Sequence, residues 1–158
     1  MVALNTTLPD EAATLALGAA LVNGIEPGLV VYLRGELGAG KTTLVRGALR
    51  ALGWQGPVKS PTYTLVEVYA VSRLDLHHFD FYRFREPREW IDAGFRESFN
   101  GLTVSLIEWP ERAAGLLPPA DLEIALALQG TGRSAALTSN TTKGERVLAR
   151  IAESLRGS

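Results

Sequence analysis

The chain has 158 residues, 46% hydrophobic and 21% charged, with a formal net charge of -1 and no cysteine. That balance suits one globular domain over 1–158 with a core of its own, and it excludes disulfides and thiolate metal centres. The near-neutral charge also argues against an autonomous nucleic-acid binder. The opening stretch MVALNTTLPDEAATLALG has no basic start and reaches Asp10 and Glu11 early, unlike a secretory leader. No apolar run approaches the roughly 20 residues that span a bilayer, so a cytoplasmic protein without membrane association is expected.

In chain order, the segment from about Asp10 to Val22 reads as a helix with acids in its first turn and Leu15, Ala19 and Val22 on one face. Pro27-Gly28 marks a turn, and the almost wholly apolar Leu29–Leu33 predicts a short buried strand. A second helix is predicted from about Lys41 to Leu52, with Leu44, Val45, Ala48, Leu49 and Leu52 in one stripe and Gly53 as its stop. Residues 64–71 and 74–82 are β-type runs joined near Ser72-Arg73, as in a hairpin or two adjacent strands. EPREWIDAGFRESF, residues 86–99, predicts a short helical stretch, and LTVSLIEW, residues 102–109, an apolar strand ending in an acid. Leu122, Ile124, Leu126 and Leu128 alternate onto one face of a further strand, which RSAALTSN pairs with across Gly130–Gly132. Thr142 with Glu145 predicts a capping box that opens a last helix, with Val147, Leu148, Ile151 and Leu155 inward. The sum is an α/β three-layer domain, a mostly parallel central sheet with an added antiparallel portion, and GELGAGKT between the Leu29–Leu33 strand and the Lys41–Leu52 helix makes it P-loop NTPase-like.

GELGAGKT, residues 35–42, matches G-x-x-x-x-G-K-[ST] at Gly35, Gly40, Lys41 and Thr42. A buried strand before it and an amphipathic helix after it supply the context that motif requires. Glycines permit a close backbone approach, and the N–H groups of such a turn and of the helix start can surround phosphate. The expected nucleotide-binding residues are Gly35, Glu36, Leu37, Gly38, Ala39, Gly40, Lys41, Thr42 and Thr43. Lys41 is expected to face solvent in the empty loop and to reach the β- and γ-phosphates. Thr42 would offer its hydroxyl to Mg²⁺, while Thr43 either touches the α-phosphate or packs in the first turn. The chain carries 13 Arg but only Lys41, Lys59 and Lys143 as lysines, so either Lys41 marks a position that wants a compact ammonium or the three lysines are placed by chance.

A nucleotidase of this kind needs an acid at the end of a neighbouring strand. Glu108 is the expected Mg²⁺-side ligand, directly or through water, and Asp80 the second acid, acting on metal-bound or attacking water. The plain alternative for each is a solvated strand-end acid. His77 and His78 point to opposite strand faces, and a partly buried histidine bonded to backbone is expected there rather than catalysis. Trp109 belongs either to the core or to the mouth of the site. Ser60, Thr62 and Thr64 surround Pro61 in a hydroxyl-rich loop, placed where a nucleotide-sensing switch would lie, though Ser-Pro-Thr is also ordinary turn chemistry. Without an Asn-Lys-x-Asp motif, ATP is preferred to GTP. Arg133 either reaches the nucleotide or is solvated.

Four segments in order, GELGAGKTTLVRG, VKSPTYTLVEVY, HHFDFYRF and IEWPER, resemble the bacterial TsaE (YjeE) family over about residues 8–128. The resemblance implies a small Mg²⁺-dependent ATPase that turns ATP into ADP and phosphate, weakly on its own. It implies work with TsaD and TsaB in the threonylcarbamoyl-adenosine modification of tRNA beside the anticodon, with tRNA met indirectly through that complex. ATP turnover would reset the transferase between cycles. Gly38, Gly40, Lys41, Thr42 and Thr43 take the phosphate and metal roles, Asp80 and Glu108 hydrolysis, Trp109 a place near the site, and Ser60–Thr64 the switch. Two other readings stand beside it. A small-molecule kinase would use Arg83, Arg85 and Arg88 as a lid. A nucleotide-gated binding module would have negligible turnover.

Overall fold

The computed structural model describes residues 2–61, 63–71, 74–86, 88 and 94–157. The strands are β1 (Ala3–Leu8), β2 (Val30–Arg34), β3 (Val66–Val71), β4 (Leu74–Asp80), β5 (Val104–Glu108), β6 (Leu122–Gln129) and β7 (Gly132–Ser139). The helices are α1 (Glu11–Gly24), α2 (Lys41–Ala51) and α3 (Thr142–Arg156), with 3₁₀ turns at Phe95–Ser98 and Pro110–Ala113. The strands form one sheet in the order β1-β7-β6-β2-β5-β4-β3. Its centre, β6-β2-β5-β4, is parallel. The pairs β1–β7, β6–β7 and β3–β4 are antiparallel. This is the expected α/β domain with a parallel centre and antiparallel additions.

Alternation along the strands decides which side chains meet which layer. Val31 and Leu33 of β2, Leu76 of β4, and Val104 and Leu106 of β5 enter the core shared with α1, α2 and α3. Val30, Ile107 and Phe79 face the other way, into an aromatic layer with Phe81 and Phe84. There the Phe79 ring stacks on Phe99 at 5.8 Å and meets Phe95 edge-on at 5.5 Å. The third layer is thus built, among the described residues, from loop aromatics and 3₁₀ turns. The predicted helical stretch over 86–99 is represented by Phe95–Ser98, while residues 89–93 and the Ser72-Arg73 turn lie outside the described residues.

Helices α1 and α2 cross at glycine contacts. A Cβ on Gly18 would lie 2.1 Å from the Leu44 carbonyl oxygen, and one on Gly47 would lie 2.2 Å from that of Leu15. The close crossing brings the first turn of α1 beside the start of α2. It also gives α1 more than one buried side. Thr14, Leu17, Gly18, Ala20, Leu21 and Gly24 are buried, whereas the predicted face of Leu15, Ala19 and Val22 is half-buried.

Two features were not foreseen and one further expectation is corrected. Strand β1 was not expected; it pairs in full with β7. Leu128 is 64% exposed although it shares a face with the buried Leu122, Ile124 and Leu126, and its neighbours Ala127 and Gln129 are exposed as well. The last helix is capped by Thr141, whose Oγ1 accepts from the Gly144 N–H at 3.0 Å and donates to Asp121 Oδ1 at 2.8 Å. A capping box in that frame would need Glu or Gln at 144, where a Cβ would fall 1.8 Å from the Asp121 carbonyl. Among the described residues no helix is long and apolar enough to cross a membrane.

The end of α1 is tied to α3 through Glu26, which accepts from Arg146 Nε and Nη2 at 3.0 Å each and from Arg150 Nη1 at 2.8 Å. The Arg146 guanidinium holds the Glu26 carboxyl at about 2 against an ordinary value of 4.5, partial burial acting the other way. A depressed carboxyl stabilises the fold fully above its unfolded value and loses that contribution as pH falls through the folded one. Glu26→Gln is therefore expected to lower the urea midpoint modestly at neutral pH, as befits a solvent-exposed pair. The gap to wild type should close between pH 4.5 and about 2. A gap that stays constant over that range in parallel urea titrations would remove the ion pair as its cause.

Candidate nucleotide site

Strand β2 delivers the chain into the glycine turn, and α2 starts inside it. Gly40 is the N-cap of α2 with φ 104°, and no side chain caps the helix. A side chain at that φ costs on the order of 1–3 kcal/mol, and the first turn, whose N–H groups have no side-chain cap, borders the cleft. Leu37, Gly38, Gly40, Lys41, Thr42 and Thr43 line this cleft of about 550 Å³. Gly35, Glu36 and Ala39 frame the turn instead: Gly35 accepts from Lys41, Glu36 accepts from the Ala39 N–H at 3.1 Å, and the Ala39 side chain joins the core.

Lys41 does not face solvent as expected, being only 5% exposed. Its ammonium donates to the Gly35 carbonyl and lies 4.0 Å from the centre of the Trp109 ring. The carbonyl and the ring face take the place of water. Burial pushes the ammonium below the usual lysine range, while the carboxylates of Glu108 and Asp80 pull it back up. Trp109 therefore belongs to the mouth of the site. It holds a left-handed backbone, φ 57° and ψ 49°, and its ring lies 4.9 Å from that of Tyr82.

The two acids come together because β4 and β5 are parallel neighbours and Asp80 pairs in register with Glu108. Period-two alternation turns both toward α2. Each is nearly wholly buried, and each lines the cleft. Asp80 Oδ1 accepts from the Tyr82 N–H at 2.9 Å, and Oδ2 accepts from Ser60 Oγ at 3.4 Å. Glu108 Oε2 lies 3.3 Å from the Thr42 hydroxyl, which donates to it, and 2.6 Å from His78 Nε2. Among the described residues the histidines bond to side chains rather than to backbone: His77 Nδ1 meets Ser98 Oγ at 2.9 Å, and His78, wholly buried, meets Glu108.

Of the hydroxyl-rich loop, Ser60 lines the cleft, Thr64 donates to Glu67 at 3.3 Å outside it, and Thr62 lies outside the described residues. Leu65 closes the loop at φ 68°, its N–H donating to the Pro61 carbonyl at 2.7 Å and its carbonyl accepting from the Asp80 N–H at 3.1 Å. Arg133 reaches the turn itself and donates from Nη2 to the Gly38 carbonyl at 3.0 Å. Of the three arginines a kinase lid would use, Arg83 lines the cleft, and Arg85 and Arg88 are exposed elsewhere. Sequence reasoning missed His78, Tyr82 and the first turn of α1, whose Asp10, Glu11 and Thr14 also line the cleft. For His78 a signal existed: two residues before Asp80, it shares that acid's strand face.

A threonine hydroxyl and two carboxylates are hard oxygen donors of the kind Mg²⁺ takes. They stand beside a turn and a helix start that suit an anion, so the side chains present fit a magnesium–nucleotide pair. Such a turn, delivered by a buried parallel strand and opening straight into a helix, puts the chain among the P-loop proteins. Sequence comparison narrows the class. The family model for threonylcarbamoyl adenosine biosynthesis protein TsaE matches residues 8–135, and the chain belongs to that family.

Among its relatives is the tRNA threonylcarbamoyladenosine biosynthesis protein TsaE of Haemophilus influenzae, 40% identical over 153 residues that cover 94% of this chain and 97% of that one. The TsaE of Bacillus subtilis is 39% identical over 126 residues, covering 79% of this chain and 77% of its own. The crystal structure of Bacillus subtilis YdiB superposes with a TM-score of 0.83 at 27% identity, covering 96% of this chain and 95% of that one.

Proposed function

We propose that this chain is an ATP-binding and ATP-hydrolysing helper in the threonylcarbamoyladenosine modification of tRNA, and that its turnover resets a TsaD–TsaB transferase complex between cycles. The observation that carries this reading is the placement of Asp80 and Glu108 in register on adjacent strands, with Glu108 within reach of Thr42 at the first turn of the P-loop helix. Thr42 and Glu108 would hold magnesium, which when bound supplies charge neutralisation at the phosphate oxygens. Lys41 would leave the Trp109 ring and the Gly35 carbonyl to meet the β- and γ-phosphates. Asp80 would orient the attacking water or one on the metal. Ser60, bonded to Asp80, would carry the nucleotide state outward into the 60–64 loop, and Trp109 would do so at the cleft mouth. The near-zero net charge supports a helper that meets tRNA through its partners in the cytoplasm.

The expected behaviour is weak ATPase alone, stimulation by the TsaD–TsaB pair, and multiple-turnover tRNA modification that depends on Lys41. A single round of modification should need this chain far less. Modified tRNA counted per transferase complex, with and without the chain, is the test. Equal multiple turnovers without it would sink the helper reading.

A further inference from the structure

We propose that His78 is a positioning residue for Glu108: its Nε2–H fixes the carboxylate in the one orientation in which Thr42 and the cleft can both use it. The proposal rests on the reading of Glu108 given above, and on a buried pair that the P-loop motif does not account for.

His78 has no exposed surface, and its Nε2 lies 2.6 Å from Glu108 Oε2. Packing alone does not explain an imidazole there. The same strand face carries a fully buried Leu76 two residues earlier, and a buried polar ring is costly unless it is bonded. Among the described residues Nδ1, which is buried, finds no hydrogen-bond partner. That assigns the tautomer. With the proton on Nδ1, a donor would be stranded in the interior and a bare Nε2 lone pair would face a carboxylate. With it on Nε2, the donor meets an acceptor, and only a weak acceptor is left unpaired.

The consequence falls on the two oxygens of Glu108. Oε2 accepts from both His78 and the Thr42 hydroxyl. Among the described residues Oε1 accepts no hydrogen bond, so it is the oxygen left for the cleft that Glu108 lines. A carboxylate held by a single long contact to Thr42 would turn about its last torsion, which has no sharp minimum. A short bond from a ring that the strand cannot move removes that freedom. Partners of this kind, which hold a ligating or reacting carboxylate in place, commonly matter as much as the group they orient.

The test begins with protein labelled with ¹⁵N-histidine, where only two histidines contribute signals. His78 should show a protonated Nε2, slow to exchange, and a bare Nδ1, and Glu108→Ala should abolish that protection. The second measurement compares His78→Gln with His78→Asn. The glutamine amide reaches the position of Nε2, whereas the asparagine amide ends near Nδ1. His78→Asn should lose about tenfold in the gain of AMP-PNP affinity produced by Mg²⁺ over EDTA, and about tenfold in kcat, with His78→Gln within about threefold of wild type.

Gln and Asn variants that behave alike, whether both normal or both impaired, would overturn the proposal, because packing would then be the whole role. A protonated Nδ1 would overturn it too, and that measurement decides alone if the asparagine variant does not fold. Tautomer and Mg²⁺-dependent affinity are read without turnover. A wild-type protein that hydrolyses nothing therefore defeats the ATPase reading and leaves this proposal to stand or fall on them.

Discussion

Lys41→Ala is expected to leave a folded protein that has lost useful affinity for ATP and ADP. The charge-assisted contact it removes is worth about 2–3 kcal/mol, on the order of thirty- to hundredfold in Kd. The nucleotide-free fold should barely respond. What the variant loses there is one bond to the Gly35 carbonyl and one contact with the Trp109 ring, the latter about 2 kcal/mol for a cation shielded from water. Against that loss, a buried ammonium whose proton affinity is lowered by burial no longer has to be accommodated. Calorimetric titration with ADP and a thermal melt of the same sample separate the two effects. Unchanged affinity in a well-folded variant would end the phosphate-loop assignment.

The two acids should separate by what they spare. Glu108→Ala removes the acceptor shared by Thr42 and His78. It should weaken Mg²⁺-dependent nucleotide binding and cut hydrolysis by about a hundredfold or more. Leaving a buried imidazole N–H unpaired should also lower stability by about 1–3 kcal/mol. Asp80→Ala removes the acceptor for Ser60 and the Tyr82 N–H, neither of which belongs to the glycine turn. It should spare nucleotide binding more and still lose turnover. If both variants hydrolyse ATP normally alongside TsaD and TsaB, another group does this work.

What the sequence disclosed follows the range over which each signal acts. The glycine turn, the α2 stripe and the antiparallel β3–β4 pair are each written within about fifteen residues of chain, and all three stand as expected. Strand β1 hides because ALNTTL is half polar. It is an edge strand, recognisable only by its pairing with β7 at the other end of the chain. The helix cap was misread by one residue because Asn140, Thr141 and Thr142 can each cap. Asp121, distant in sequence, decides for Thr141.

The site divides the same way. Lys41, Thr42, Asp80 and Glu108 are visible as residue types at the ends of recognisable elements. The burial of Lys41 needs Trp109 from beyond β5, and the pairing of His78 with Glu108 needs the β4–β5 register. Contacts set by a register between distant segments leave no local pattern to read.

The bond from Arg133 to the Gly38 carbonyl joins residues 95 apart in the chain. During synthesis at about 5–20 residues per second, the glycine turn is made roughly 5–20 s before the arginine that holds it. Between those moments the growing chain carries the phosphate motif without its clamp. The completed turn is thus assembled only when the β6–β7 hairpin folds back on a part of the chain made well before it.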